Sequence, residues 1–491
     1  MKPITVVSQH SAEPGFEQTL TALLKSELVE DVIAICPGPV RMGIPECRAL
    51  VTGPLSAQKT LDLIISEART KYLLLITEPG QISVNRADLE KLLGAAESKG
   101  AGLTYSDFYG VSRGLATLHP LNDYQEGSVR DDFDFGALML FSVPALLATA
   151  QKWGFMPSVT YAGLYDLRLK VSIDYFIHHV QEPLYTVIGQ TDSSAGERIF
   201  SYVDPKNVEV QKEMETVFTD YLKKIGAYLP PKSLRGATRS PGIFPVEASV
   251  VIPVRNRKTT IGDAVKSALS QTADFPYNVI VVDNHSSDGT TVLLKELARQ
   301  HGALKHIIPE RKDLGIGGCW NEALHSEHCG RYAVQLDSDD LYSGSDTLQK
   351  IVDMFHQDYA MVIGSYSLVN SSLEKIPPGL IDHREWTDNN GHNNALRING
   401  LGAPRAFDTS LIRNIGFLNV SYGEDYAAAL RICREYRVGR IFESLYLCRR
   451  WEGNTDAALP IVEVNRNDAF KDKVRTDEIL ARKKMNQQRL L

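Results

Sequence analysis

Leu336-Asp337-Ser338-Asp339-Asp340 follows directly on the apolar run Arg331 to Leu336. Three carboxylates this close repel one another, and a hard divalent cation, magnesium or manganese, relieves that field. Such a cation bridges to a diphosphate and neutralises its charge as it leaves. An acidic turn capping the next helix is the other reading of the same residues. A second acidic pair, Glu424-Asp425, follows Gly423 and opens the helical run Tyr426 to Cys433. A carboxylate at a helix N-terminus tends to stay ionised, as a general base must, although an ordinary first-turn charge would look the same. Arg449-Arg450-Trp451 brings cations that could offset a leaving diphosphate or pair with surface acids.

The elements that must position these groups are legible around them. Ala248 to Val254 (ASVVIPV) and Asn278 to Val282 (NVIVV) are short runs rich in β-branched residues, hence buried strands, and Asp283 ends the second. Thr260 to Ser270 carries Ile261, Val265, Ala268 and Leu269 at helical spacing, and Thr290 to Gln300 reads as a second helix. Strand alternating with helix predicts an α/β fold with a mostly parallel sheet flanked by helices. Ligands of such sheets bind beyond the carboxyl ends of the strands, where Asp283 and Asp337 fall.

The first half repeats the rhythm. Ile4 to Val7, Val32 to Cys36 and Tyr72 to Ile76 read as strands, and Phe16 to Leu28 and Leu61 to Ala68 as helices. Tyr165 to Leu169 parallels Tyr426 to Arg431, so we expect an internal duplication, with chance likeness between two α/β domains as the alternative. Between the halves, a helix is expected from Asp204-Pro205 with Val210, Met214, Val217 and Tyr221 in one stripe, followed by a Pro- and Gly-rich linker to Pro245. The expected boundaries are residues 1–195 and 246–456 for two domains, 196–245 for the helix and linker, and 457–491 for a basic C-terminal tail that reads as a solvated helix.

The chain has 491 residues and a formal net charge of −7. That balance argues against a general nucleic-acid binder. Six scattered cysteines without a CxxC pair suggest neither a zinc site nor a disulfide framework. With no cationic-then-apolar leader and no apolar run long enough to span a bilayer, the expected location is cytoplasmic, with contact at a membrane surface through the basic tail left open.

Taken in order, these pieces resemble family 2 glycosyltransferases of the GT-A fold. The resemblance runs through Pro253-Val254-Arg255-Asn256, Val282-Asp283-Asn284, Asp313-Leu314-Gly315-Ile316-Gly317-Gly318 to Asn321, Asp337-Ser338-Asp339, Glu424-Asp425 and Arg449-Arg450-Trp451. It covers roughly Ala248 to Trp451. The resemblance implies two tandem GT-A-like domains, of which the second is catalytic. By the same resemblance Pro253, Val254, Asn256 and Asp283 cradle the nucleoside, and Gly315 and Asn321 lie beside the nucleotide. Asp337 meets ribose or metal, and Asp339 is the main ligand of manganese or magnesium; Arg449, read from its charge, offsets the leaving diphosphate or pairs with surface acids. Asp425 is the general base and Glu424 its partner. The implied reaction is inverting transfer from a nucleoside diphosphate sugar, UDP-linked, to the hydroxyl of a glycan or other acceptor, in cell-surface polysaccharide synthesis.

Two departures stand out. Trp451 occupies the place of a histidine that assists metal and diphosphate in many relatives, and Arg255 that of an aromatic residue beside the base. Asn399 to Arg405 is a Gly-rich loop where such enzymes meet the acceptor, or a plain turn. The first half lacks the chemistry: Thr77-Glu78-Pro79-Gly80 follows its third strand, and Ala162-Gly163-Leu164 stands where the acidic pair would be. It is expected to be a degenerate copy. Two rivals remain at this stage, a sugar nucleotidyltransferase and a non-catalytic binding scaffold. The first needs a glycine loop after its first strand, which Pro253 to Arg257 lacks.

Overall fold

The structure is a computed structural model, and it describes the whole chain apart from residues 1, 14, 41, 79, 157, 190–206, 239–241, 452–453, 455–458 and 491. It divides into two compact units. The first comprises residues 1–198, 206–228 and 458–491, and the second residues 199–205 and 229–457.

In the first unit the strands are β1 (Ile4–Gln9), β2 (Val29–Cys36), β3 (Arg48–Val51), β4 (Tyr72–Ile76), β5 (Gln81–Ser83), β6 (Leu103–Ser106), β7 (Phe108–Ser112), β8 (Leu115–His119), β9 (Leu138–Ser142), β10 (Ile177–Val180) and β11 (Thr186–Ile188). They form a seven-stranded sheet in the order β10-β6-β9-β4-β1-β2-β3 and a four-stranded sheet in the order β5-β11-β7-β8. β1 runs parallel to β2 and β4, while β9 is antiparallel to both β4 and β6.

The second unit contains β12 (Ala248–Val254), β13 (Tyr277–Asp283), β14 (Leu304–Ile307), β15 (Tyr332–Gln335), β16 (Leu341–Tyr342), β17 (Met361–Val369), β18 (Lys375–Ile381), β19 (Arg405–Asp408) and β20 (Val438–Arg449). They make one nine-stranded sheet, β14-β13-β12-β15-β19-β17-β20-β16, with β18 beside β17. β12 is parallel to β13 and β15, and β19 is antiparallel to β15 and β17. The apolar runs read from sequence become the centre of this sheet because strands buried on both faces leave no solvated side. Val250, Ile252, Val279, Val281 and Val334 have no exposed surface. The helix Ile261–Leu269 covers it with the stripe Ile261, Ala264, Val265 and Ala268.

Local expectations shift mainly at element ends. The first helix stops at Leu24, short of Leu28, because the chain turns through Ser26 into β2. The helix between the halves is described over Val208–Lys224, while Asp204 and Pro205 lie outside the described residues. It belongs to the first unit, and the linker that follows belongs to the second. The C-terminal segment departs furthest. Ile461–Leu490 is a single helix of the first unit rather than a detached tail, and its Asp472, Arg475 and Arg482 are fully buried. Asp472 Oδ1 meets Arg475 at 2.8 Å, Ser128 donates to Oδ2 at 2.9 Å, and Arg130 reaches Asp468 at 3.2 Å and Asp472 at 3.5 Å. Part of the tail's charge is therefore spent inside the unit.

A buried ion pair broken on one side leaves an uncompensated charge, which costs more than the intact pair contributes. Asp472→Ala is expected to destabilise the protein by about 3–5 kcal/mol through its stranded guanidinium groups. Denaturant unfolding followed in the first unit checks this, and a loss comparable to a surface substitution would refute it.

Candidate functional site

β12, β13 and β15 lie side by side and parallel, so the residues that follow them gather at one edge of the sheet. The loops after β12 and β13 are laced together. Asn256, in the left-handed region at φ 54°, donates its amide to Ser286 Oγ at 2.9 Å and accepts the Ser287 amide on its side-chain oxygen at 2.8 Å. Asp288 accepts from the Lys258 and Thr290 amides, each at 3.0 Å. Pro253 is half-buried and Val254 buried. Asn256 thus braces the loop with the groups that were expected to meet a nucleoside.

Asp283 also differs from expectation. It has no exposed surface, and its carboxylate accepts from the Ser286 amide at 3.0 Å, Thr291 Oγ1 at 2.5 Å and His306 Nε2 at 3.3 Å. Burial opposes its charge, yet the bonds from His306, Thr291 and Ser286 outweigh it and hold the carboxyl well below the usual range. The neighbouring Asn284 has the free acceptor that sequence reasoning missed. Its amide donates to Leu314 O at 2.8 Å, while its Oδ1, buried with the residue 7% exposed, has no hydrogen-bond partner among the described residues. Asn284 was quoted in the motif, but nothing in its spacing separates it from Asp283.

The glycine-rich stretch opens the helix Ile316–His325. A Cβ on Gly315 would come within 2.5 Å of Val420 C, and one on Gly317 within 1.9 Å of Leu418 O. Gly315 N donates to Asn419 Oδ1 at 2.7 Å, and Asn321 exchanges two bonds with the Phe417 backbone, at 2.8 and 2.9 Å. These glycines and Asn321 seat the helix on the 417–421 loop; close packing accounts for their types without a nucleotide.

The acidic run is divided by the chain's own turn. Asp340 is 5% exposed and accepts the Arg449 amide at 2.7 Å; burial, then the charges of Asp337 and Asp339, push it well above the carboxylate range. It is a buried structural acid, so the expected triplet reduces to two half-exposed carboxylates. Asp337 receives both contacts of the Gln335 amide, at 3.0 and 3.2 Å. Burial raises its carboxyl, with Arg405 opposing and Asp339 and Asp425 adding to the rise. Asp339 Oδ2 accepts from the Trp451 indole at 3.1 Å and from Asn454 at 3.3 Å. The substituted Trp451 therefore serves as a donor to the carboxylate, with the Arg257 guanidinium 5.9 Å from its ring centre. Arg449 is 6% exposed, lies 3.5 Å from Asp263 through Nη2, and leaves Nε buried with no hydrogen-bond partner among the described residues.

Glu424 and Asp425 begin the helix Glu424–Cys433, and they differ sharply in environment. Asp425 Oδ2 meets Arg405 Nη2 at 2.7 Å and Oδ1 accepts the Tyr426 amide at 2.6 Å. Glu424 is 7% exposed with Oε2 unpartnered among the described residues. Burial, then the charge of Asp425, pushes its carboxyl up to about 8. Asp337, Asp339, Glu424, Asp425 and Arg405 bear on one another's charge and so share one locale. Asp283 stands roughly 10 Å across the sheet from the Asp337 strand, two strand spacings away, and bonds to Ser286, Thr291 and His306.

The Asp337 and Asp339 carboxylates at the end of a parallel strand thus share a locale with Asp425, ion-paired to Arg405, and with Glu424, whose carboxyl is raised. Residues 249–414 match the family model described as glycosyl transferase family 2, and the chain carries a family 2 glycosyltransferase domain. A UDP-Glc:alpha-D-GlcNAc-diphosphoundecaprenol beta-1,3-glucosyltransferase of Escherichia coli is 27% identical over 194 residues, which are 39% of this chain and 72% of that protein. A GalNAc(5)-diNAcBac-PP-undecaprenol beta-1,3-glucosyltransferase of Campylobacter jejuni is 31% identical over 24% of this chain and 37% of its own. A putative teichuronic acid biosynthesis glycosyltransferase of Bacillus subtilis is 32% identical over 25% and 47%. The chain spans less than half the length of the latter two. Among solved structures, S. aureus TarS residues 1–349 with UDP matches 48% of this chain and 70% of its own at 20% identity and a TM-score of 0.35. No helix of the described residues is long and apolar enough to cross a membrane.

The Glu424 carboxyl supplies a pH test. Its folded value lies above the ordinary 4.5, so the folded protein keeps a proton that the unfolded chain releases, and stability falls as pH rises from 4.5 to about 8. Glu424→Gln is expected to flatten that fall and to be more stable than the parent above pH 8. Denaturant midpoints measured across this range decide it; parallel curves for the two proteins would show that Glu424 titrates normally.

Proposed function

We propose that the second unit transfers a sugar, with inversion, from a UDP-sugar to a glycan hydroxyl in the assembly of a cell-surface polysaccharide. The observation that carries this reading is that Asp425, ion-paired to Arg405, and Glu424, whose carboxyl is raised to about 8, stand in the same locale as Asp337 and Asp339. The relatives' printed donors and acceptors support the substrate class. The unpartnered Asn284 Oδ1 supports a uracil base, whose imide N–H is a donor of the kind this atom lacks. Cytosine presents an acceptor at the same ring position and would leave the oxygen unsatisfied.

Asp339 and Asp337 are the carboxylates that would hold a divalent cation, with substrate oxygens completing its shell, since no group of three or more His, Cys, Asp or Glu that could hold a metal ion gathers among the described residues. Asp339 is half-exposed, its contacts from Trp451 and Asn454 fall on Oδ2, and Asp337 stands beside it. When bound, manganese or magnesium would supply charge neutralisation at the diphosphate as it departs. The remaining steps belong to the chain. Asp425 accepts the acceptor's hydroxyl proton as its oxygen attacks the anomeric carbon opposite the diphosphate. Glu424, uncharged, offers an O–H to a sugar or acceptor oxygen without adding negative charge near the base. The guanidinium of Arg449 presents its unpartnered Nε to the anionic leaving group.

We read the first unit as a non-catalytic copy of the second. Its strand order from β3 to β10 follows that from β14 to β20 position for position, with parallel and antiparallel neighbours matched. The Tyr165 and Tyr426 hydroxyls each donate to a carbonyl of the segment before the matching strand, Val129 and Ala395. At the helix start corresponding to Glu424, the backbone amides of Thr160, Tyr161 and Ala162 are occupied by the carboxylate of Glu213.

Calorimetric titration of UDP with and without manganese tests the donor half. Binding is expected to depend on the metal in the parent and to lose that dependence in Asp339→Asn. Turnover assayed over a panel of nucleotide sugars tests the base. Asp425→Asn should bind UDP normally and lose about 10²–10⁴ in rate; unimpaired turnover would remove Asp425 from that role.

A further inference from the structure

Resting on this transferase reading, we propose that Arg405 is a positioning residue of the reaction: it aims the Asp425 carboxylate, and through Gln335 ties it to Asp337, so that the two acids are held in one fixed relation. Neither Arg405 nor Gln335 carries chemistry by its type. Their importance comes from what they join.

Arg405 is the first residue of β19, and its guanidinium is held at both ends. Nη2 meets Asp425 Oδ2 at 2.7 Å, and Nη1 donates to Gly402 O at 2.6 Å. A planar guanidinium fixed twice cannot swing, so it dictates where the carboxylate oxygen lies. The backbone amide of the same residue donates to Gln335 Oε1 at 3.2 Å. Gln335 is the last residue of β15 and is 6% exposed. Its Nε2 donates to both oxygens of Asp337, and its own carbonyl accepts from Tyr342 at 3.0 Å. One connected run therefore leads Asp337, Gln335, Arg405, Asp425. The Gln335–Arg405 and Arg405–Asp425 links join β15, β19 and the helix Glu424–Cys433, separate elements of the chain.

The charges around Asp425 explain why a cation is needed there. Asp337 bears on it from the end of β15, and Glu424, from the same helix, is itself pushed up by the Asp425 charge; Tyr446 of β20 bears on Arg405. Arg405 is the cation that the structure sets against this group. Without it, like charges would favour a protonated Asp425, which cannot accept a proton from substrate. Rotation of the Asp425 side chain would also be released, and misplacement of a base by an ångström is enough to cost catalysis.

The test uses the full-length chain with UDP-sugar turnover, UDP–manganese binding and thermal unfolding measured on each variant. Arg405→Gln is expected to keep UDP affinity within about threefold and to lose about a hundredfold or more in kcat. The acid limb of its kcat/KM profile should move to higher pH, because a carboxylate without its cation ionises later. Arg405→Lys keeps the charge but not the double anchorage; the acid limb should stay in place while kcat falls about tenfold. Gln335→Leu should lower kcat with the limb unmoved. A merely structural ion pair would lower the unfolding temperature and scale all rates by the folded fraction, with no change in the pH profile. Carbon-13 detection of the Asp425 carboxyl, assigned with Asp425→Asn, separates this proposal from the reading beneath it. Were no donor turned over, the transferase reading would fail, and an Asp425 signal titrating at higher pH in Arg405→Gln would still establish the hold. An Asp425 signal titrating at the same pH in both proteins, or full activity in Arg405→Gln, overturns the proposal.

Discussion

Mutual repulsion among carboxylates is the constraint around which the second unit is organised. Asp337, Asp339, Asp340, Glu424 and Asp425 converge on one edge of a sheet, and two unit charges 4 Å apart near a protein surface interact by about 4 kcal/mol. The chain meets this cost differently at each residue. Asp340 and Glu424 are buried and driven toward their neutral forms. Asp337 shares the Gln335 amide, Asp339 takes N–H groups from Trp451 and Asn454, and Asp425 takes a guanidinium. The outcome is a set of acids in contrasting environments at one sheet edge, some buried and pushed toward neutrality, others given N–H or guanidinium partners.

Such a site is stable only on a frame that resists the repulsion. The loops after β12 and β13 are cross-braced by Asn256, Asp288 and Asp283. Behind the acidic pair, the helix Ile316–His325 approaches the 417–421 loop so closely that only glycine fits at 315 and 317. Several residues with the look of ligand contacts are the bracing. Around this frame Asn284 Oδ1, Arg449 Nε and Glu424 Oε2 are buried with no hydrogen-bond partner among the described residues. In a well-packed interior an unsatisfied polar atom is costly, so a place where one is kept is informative.

The first unit shows the same strand order with a different arrangement of charge. Ser128, Arg130, Asp468, Asp472 and Arg475 form a closed buried network, and Glu213 caps the helix start at residues 160–162. Both units keep some buried polar atoms without a hydrogen-bond partner among the described residues, Gln58 Oε1 and Thr149 Oγ1 in the first, Asn284 Oδ1 and Glu424 Oε2 in the second. What separates them is charge: the second gathers like-charged carboxylates at one sheet edge, and the first pairs its buried acids with arginine and lysine.

Part of the frame and the acidic candidates were legible in the amino-acid sequence: β1, β2, β4, β12 and β13, and several of the helices between them. β12, β13 and β4 could be read from runs of β-branched and aliphatic residues, and Glu424-Asp425 from its place before a helical run, because these are patterns within a few residues of chain. Only the tertiary structure decided which polar atoms were left over. Asp283 and Asn284 are adjacent and alike in sequence, yet one is consumed by Thr291 and His306 and the other keeps an open acceptor. Asp340 is indistinguishable from Asp339 until Arg449 closes over it. Arg405 and Gln335 meet only when β19 pairs beside β15. A hydrogen bond between distant segments depends on sheet register and loop closure, and residue type fixes only what an atom can donate or accept, never which partner arrives first.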